Sequence, residues 1–195
     1  MKKYIETEIA NFYLLNDKII KIYKNKYKYL LTRIPFDKLI AINSKYIVQL
    51  EKYNIDDNYC EYSFFKSALP LNIFFRDSCL NYMDMLNIFT QIAKGIDTLH
   101  SYNLVHNDIR MMNILINFDK EIKINDFDFL KILENNDMKL IDIYSFANIL
   151  LRFLAVQYEW NAIKDLKFTY NTDNLDYSSC ISFLNSLDLN KEKQC

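Results

Sequence analysis

The chain has 195 residues, with 24 Lys and Arg against 25 Asp and Glu and a formal net charge of −1. Its 51% hydrophobic and 15% aromatic content is enough to fill a packed interior, which excludes a chain held open by polarity, and the balanced charge leaves no footprint for nucleic acid or an anionic membrane surface. One glycine, Gly95, excludes any device built on a glycine-rich loop.

Taken in order, the chain opens with a basic Met1–Lys3 that Glu6 and Glu8 interrupt, which is no secretory pattern. Residues 13–23 set Lys18 and Lys21 among Ile19, Ile20, Ile22 and Tyr23, and the pattern predicts a strand. Residues 30–42 fit a short helix broken near Pro35. Residues 46–50 and 59–65 read as further strands, parted by the turn formers of 54–58. Then the period changes. Leu86, Phe89, Ile92, Ala93, Ile96 and Leu99 recur three and four apart, one face of a helix that runs to about His100 with Asn81 as its N-cap. Residues 113–116 and 121–125 predict a hairpin. Residues 140–155 are apolar on nearly every face and predict a helix buried all round. A last helical segment is expected at 176–189.

Cys60, Cys79, Cys180 and Cys195 make no C-x-x-C, and the two histidines stand at no metal-ligand spacing. Free thiols in a reducing compartment are expected, without a zinc site. The longest apolar stretch, 141–156, carries Asp142 and Arg152 and is too short and too charged to cross a bilayer. The expectation is a soluble, cytoplasmic protein.

The polar residues that could do chemistry gather after the long helix. His106, Asp108, Arg110 and Asn113 share one loop, and Asp126 closes the hairpin in the run Ile124-Asn125-Asp126-Phe127-Asp128. Loops framed by rigid elements are where reactive groups are usually held. Two carboxylates, an amide and a guanidinium suit a divalent metal and a phosphate. Mg²⁺ prefers oxygen ligands, and phosphoryl transfer needs charge neutralisation more than covalent help.

This stretch resembles the catalytic loop of protein kinases, H-R-D-x-x-x-x-N, followed by D-F-G. His106, Asp108 and Asn113 match in type and spacing, and Asp126-Phe127 match the first two residues of D-F-G. Asp142 resembles the aspartate that opens the buried large-lobe helix, and Cys60-Glu61-Tyr62 resembles the hinge that binds adenine through its backbone. The resemblance implies an α+β, two-lobe fold. A reduced β-rich N-lobe with its hinge would occupy residues 1–65, and a shortened, mainly helical C-lobe residues 66–195. It implies ATP and Mg²⁺ as cofactors. Asp108 would orient the acceptor hydroxyl and take its proton, and Arg110 would stabilise the transferred phosphoryl. Asn113 and Asp126 would hold the metal ions. Lys21, with Lys18 as second candidate, would grip the phosphates, and its carboxylate partner on the small-lobe helix would lie near Asp37, a residue that by itself reads as an N-cap or surface group. Glu61 and Tyr62 would bind the nucleotide, and His106 and Asp142 would brace the loop.

The departures are equally specific. Residues 1–17 look short for the first two strands, and no glycine loop exists. Asn107 replaces the arginine that pairs with a phosphorylated activation segment. Asp128 replaces the glycine of D-F-G. Asp142 follows Asp128 by only fourteen positions, with no A-P-E between. Two functions stay open. One is a phosphotransferase acting on protein Ser/Thr or on a small-molecule hydroxyl. The other is a catalytically impaired pseudokinase that binds a protein partner such as a true kinase.

Overall fold

The computed structural model describes residues 2–78 and 80–157; Cys79, Cys180, Cys195 and the helix expected at 176–189 lie outside the described residues. Five strands come first: β1 (Lys2–Glu6), β2 (Ala10–Leu15), β3 (Lys18–Tyr23), β4 (Leu50–Asn54) and β5 (Tyr59–Ser63). They form one antiparallel sheet in the order β1-β2-β3-β5-β4. The single strand expected over 13–23 is therefore two. They part at Asn16 and Asp17, with φ of 48° and 59°, the pair of positive values that a tight type I′ hairpin turn demands and that Asn and Asp tolerate. Residues 1–17 also prove long enough for both leading strands, against expectation.

A 3₁₀ turn at Asn25–Leu30 and a short helix, α1 (Phe36–Ile40), fill the crossover from β3 to β4. Pro35 directly precedes α1, so the break expected there is where the helix starts. Residues 46–50 are mostly not a strand. Ile47 makes a lone parallel bridge to Ile124. Tyr46 carbonyl accepts from Ile124 N–H at 2.8 Å, and Val48 N–H donates to Ile124 carbonyl at 2.9 Å. This segment therefore ties the sheet to the second half of the chain.

That half is mainly helical. After β6 (Leu69–Pro70) and α2 (Leu71–Asp77), α3 runs over Tyr82–Ser101. Asn81 caps it as expected, its side chain accepting from Asp84 N–H at 2.8 Å. β7 (Leu104–Val105) pairs with β10 (Lys131–Ile132), while β8 (Ile114–Ile116) and β9 (Ile122–Ile124) form the expected hairpin, with β6 along the free side of β8. α4 (Lys139–Gln157) packs on α3 through Phe89, whose ring lies 6.0 Å from that of Phe146 and 5.6 Å from that of Phe153. The expectation of a helix buried all round needs correcting. Ile143, Phe146, Ile149, Leu150 and Phe153 face inward, whereas Ile141 and Tyr144 are 45% and 39% exposed. Among the described residues α4 is covered on one side only. A single apolar cluster runs from Tyr23 and Leu50 in the sheet through Phe89 and Ile124 to Phe153.

Gly95 serves closeness rather than conformational freedom. A Cβ there would stand 2.8 Å from Ile124 Cδ1 and 3.2 Å from the Tyr46 carbonyl oxygen. The methyl can turn away; the carbonyl, bonded to Ile124 N–H, is held in place. Overpacking of this kind costs about 1–3 kcal/mol, against the ~1 kcal/mol that alanine contributes inside a helix. Gly95→Ala is expected to lower the urea midpoint; an unchanged or raised midpoint would contradict this account of α3 against β9.

Candidate active site

The loop after α3 is fixed first by a buried carboxylate. Asp142, in the first turn of α4, is fully buried and accepts from the backbone N–H of His106 and of Asn107, each at 2.9 Å, and lies 3.0 Å from His100 Nε2. A negative charge also suits a helix N-terminus. The His106 ring then orders the residues after it. Asp108 N–H donates to its Nδ1 at 3.2 Å, so Nε2 carries the proton and faces the Asn125 carbonyl at 3.0 Å. Burial holds this imidazole below its ordinary pKa, in keeping with a neutral ring. Asn125 N–H in turn donates to the Asn113 carbonyl at 2.8 Å. Asn107 and Asp126 take φ of 65° and 63°. Such left-handed positions cost on the order of 1 kcal/mol outside glycine and cluster where side chains are aimed at a site.

Within this frame Asn113 is buried and donates its amide to Asp108 twice, at 2.7 Å to Oδ2 and 2.9 Å to the carbonyl. Its Oδ1 is left without a hydrogen bond among the described residues. Arg110 Nε lies 3.3 Å from Asp108 Oδ2 on a largely exposed side chain. The loop residues His106, Asp108, Arg110 and Asn113 are thus brought together, with Asp142 behind them.

Lys21 enters from β3. Its Nζ bonds Asp128 Oδ1 at 2.5 Å and Asp126 Oδ1 at 3.0 Å, and the Tyr23 hydroxyl donates to the same Asp128 oxygen at 2.6 Å. The ammonium also sits 4.9 Å from the Tyr23 ring centre and 5.4 Å from that of Phe12, favourable cation–π positions. Burial alone would depress the lysine; the two carboxylates outweigh it and hold the ammonium above its ordinary pKa. Burial alone would raise Asp126; Lys21 outweighs it and holds this carboxyl below the usual range. Burial, with Tyr62 and Asp128 nearby, pushes the Tyr23 phenol well up, so it remains a donor. Facing Lys21 across the sheet, the Cys60 thiol is pushed up to about 12 by burial and is inert.

Several assignments change. Lys18, at odd spacing from Lys21 and so on the other face of β3, pairs with Glu51 at 2.7 Å and Glu61 at 3.7 Å, away from the site. Asp37 bonds the Tyr53 hydroxyl at 2.6 Å and does not meet Lys21. Glu61 and Tyr62 lie inside β5, paired with β3 on one side and β4 on the other, so the structure does not bring them to a free hinge edge. The next two donors are also taken: Ser63 N–H by the Gln49 carbonyl at 2.9 Å and Phe64 N–H by the Asp17 carbonyl at 3.0 Å. Tyr62 instead packs its buried ring 6.2 Å from Phe127, which lies 5.6 Å from the His106 ring. Sequence reasoning missed Tyr23 and Asp128 as partners of Lys21. Tyr23 was signalled by its place two residues beyond Lys21, on the same strand face.

No group of three or more His, Cys, Asp or Glu side chains among the described residues could hold a metal alone. Asn113 Oδ1 and the ionised Asp126 offer two oxygen ligands. That fits Mg²⁺, which takes one or two protein ligands and completes its shell with phosphate and water.

Comparison with known proteins places the chain in a family. The profile for protein tyrosine and serine/threonine kinases matches residues 26–182, and the chain belongs to that family. It is 29% identical over 97 residues to serine/threonine-protein kinase TIO of Arabidopsis thaliana, 50% of this chain and 7% of that protein. It is 42% identical over 50 residues to the probable serine/threonine-protein kinase ireA of Dictyostelium discoideum, 26% of this chain and 5% of that protein. It is also 42% identical over 52 residues to the interferon-induced, double-stranded RNA-activated protein kinase of Rattus norvegicus, 27% of this chain and 10% of that protein. The chain thus spans a tenth or less of these relatives. Among the described residues no helix is long and apolar enough to cross a membrane.

Proposed function

We propose that the chain is an ATP- and Mg²⁺-dependent, cytoplasmic phosphotransferase of the serine/threonine kinase type, acting on a hydroxyl acceptor. The observation that carries this reading is convergence. Lys21 and Asp126 pair at 3.0 Å and Asp108 and Asn113 at 2.7 Å, the two pairs are tied through Asn125, whose N–H donates to the Asn113 carbonyl, and together they supply a cation, a carboxylate held for a proton, and two metal-compatible oxygens. In this reading the Lys21 ammonium binds the ATP phosphates. Asn113 and Asp126 hold Mg²⁺, which supplies neutralisation of phosphate charge. Asp108, oriented by the Asn113 amide, receives the acceptor hydroxyl and takes its proton, and the exposed Arg110 follows the transferred phosphoryl. The short segment between Asp128 and Asp142 offers little surface for a peptide, so a small-molecule hydroxyl stands beside protein Ser/Thr as the acceptor.

A second reading, a pseudokinase that engages a protein partner, is favoured by two observations. The Ser63 and Phe64 donors are already used. The β1–β2 tip is fastened down: Lys24 Nζ bonds Glu6 at 3.1 Å and the Thr7 carbonyl at 2.8 Å, and Glu8 bonds Lys26 and the Tyr27 hydroxyl. Thermal denaturation with ATP and Mg²⁺, followed by phosphate transfer to generic protein and small-molecule acceptors, separates the two. Nucleotide at a hundred times its Kd should stabilise the fold by about 2.7 kcal/mol. Asp108→Asn should keep that shift and lower turnover by roughly a hundredfold or more. Absence of any nucleotide-dependent shift would leave the pseudokinase reading in possession.

A further inference from the structure

The lysine of β3 has lost the helical partner that the family resemblance called for. α1 is five residues long, and its acidic side chain in the first turn, Asp37, is bonded to Tyr53. We infer that Asp128, the residue standing in place of the D-F-G glycine, has taken over as the positioning residue that anchors Lys21, with Tyr23 as its brace, and so frees Asp126 for the metal.

The two lysine contacts are unequal in the way this division of labour needs. Asp128 makes the shorter bond, 2.5 Å against 3.0 Å, and its side chain is 3% exposed against 34% for Asp126. The buried carboxylate is the fixed end; the other is a third exposed and can reach a ligand. Asp128 cannot turn away readily, because one of its oxygens also receives the Tyr23 hydroxyl at 2.6 Å. Lys21 and Tyr23 share a face of β3, whose register is set by Phe12 opposite Lys21 on β2 and Cys60 opposite it on β5. The strand therefore delivers cation and hydroxyl together to one carboxylate. When Asp126 turns to a metal ion, Lys21 keeps a full counter-charge and stays aimed at the phosphates. A glycine at 128 would leave the lysine with Asp126 alone, and lysine and metal would compete for one group.

The purpose of this anchor rests on the phosphotransferase reading, but its existence can be tested without nucleotide. The apo protein is treated with sulfo-NHS-acetate, and Lys21 acetylation is followed by peptide mass spectrometry in wild type, Asp128→Asn, Asp128→Gly and Asp37→Asn. Loss of one charge-assisted bond corresponds to roughly tenfold, so Lys21 should acetylate about tenfold faster in both Asp128 variants, and at the wild-type rate in Asp37→Asn. With ATP, Asp128→Asn should raise KM by about tenfold while kcat falls less. Restoring the glycine of the motif should thus impair this protein. A wild-type Lys21 rate in both Asp128 variants, or exposure of Lys21 by Asp37→Asn, would overturn the inference. Faster Lys21 acetylation in a wild-type-folded Asp128→Asn whose parent binds no ATP would uphold the anchor and overturn the phosphotransferase reading instead.

Discussion

Asp142→Ala is expected to be the most destabilising single change in the described part of the chain, at about 3–5 kcal/mol. Asp142 is fully buried and its two oxygens serve the His106 and Asn107 N–H groups and the His100 ring. Removing it leaves the inward-facing His106 and Asn107 N–H groups without their acceptor, and each such loss costs about 1–3 kcal/mol. A domain of this kind holds only about 5–15 kcal/mol in total, so the variant should stand near the edge of folding. Asp142→Asn keeps the shape and one acceptor oxygen but turns an NH₂ towards a donor, and should cost less. Urea denaturation of the three proteins measures the order. An alanine variant with the wild-type midpoint would mean that the loop is held by something other than this carboxylate.

Lys21→Met is expected to be nearly as costly, and its cost should depend on pH. The thioether fills much of the lysine's volume but leaves Asp128 buried beside Tyr23 without a counter-charge, a loss of about 3–5 kcal/mol at neutral pH. The sign of the pH effect comes from Asp126. In the wild type Lys21 holds its carboxyl below 3.8, so its contribution is present above that value and fades as pH falls through the lowered one. In the variant both Lys21 effects are gone and only the smaller ones of His106 and Arg110 still oppose burial, so the carboxyl moves upward and acidification neutralises it earlier. The deficit of Lys21→Met should therefore be largest near pH 7 and shrink towards pH 5, read as the gap between urea midpoints. A gap constant with pH would place the cost in packing rather than charge. The variant should also bind no ATP.

What the sequence disclosed was local. The Asn81 cap, the three-and-four period of α3 and the hairpin of β8 and β9 are each set by residues close in the chain, and all three lie where the pattern placed them. The loop from His106 to Asn113 was legible by spacing. The Asn16-Asp17 turn was equally open to reading, since those residue types favour positive φ, yet apolar continuity from Tyr13 to Tyr23 hid it. Other features depend on what packs where. Asp128 meets Tyr23 across 105 positions and Lys21 across 107, and no periodicity in either segment announces that. Likewise α4 is apolar on several sides, but its pattern does not say which side its neighbours cover. Asp37 illustrates the same limit from the other direction. The resemblance put a lysine partner near this carboxylate while its own setting read as an N-cap or surface group, and it lies exposed on a five-residue helix, bonded to Tyr53.

The tie between the Asn107 amide and the Phe129 carbonyl, at 3.2 Å, joins the loop after α3 to the segment that leaves Asp128. Further on, Leu133 N–H meets the Asn103 carbonyl at 2.9 Å and β10 lies along β7. A guanidinium at position 107 would wait for a phosphate before it could hold that segment, which makes order conditional on another enzyme's visit. An amide needs no such visitor, and being neutral it gives salt nothing to screen. The contact that holds the start of this segment is thus made by groups the chain itself carries, an amide and a carbonyl.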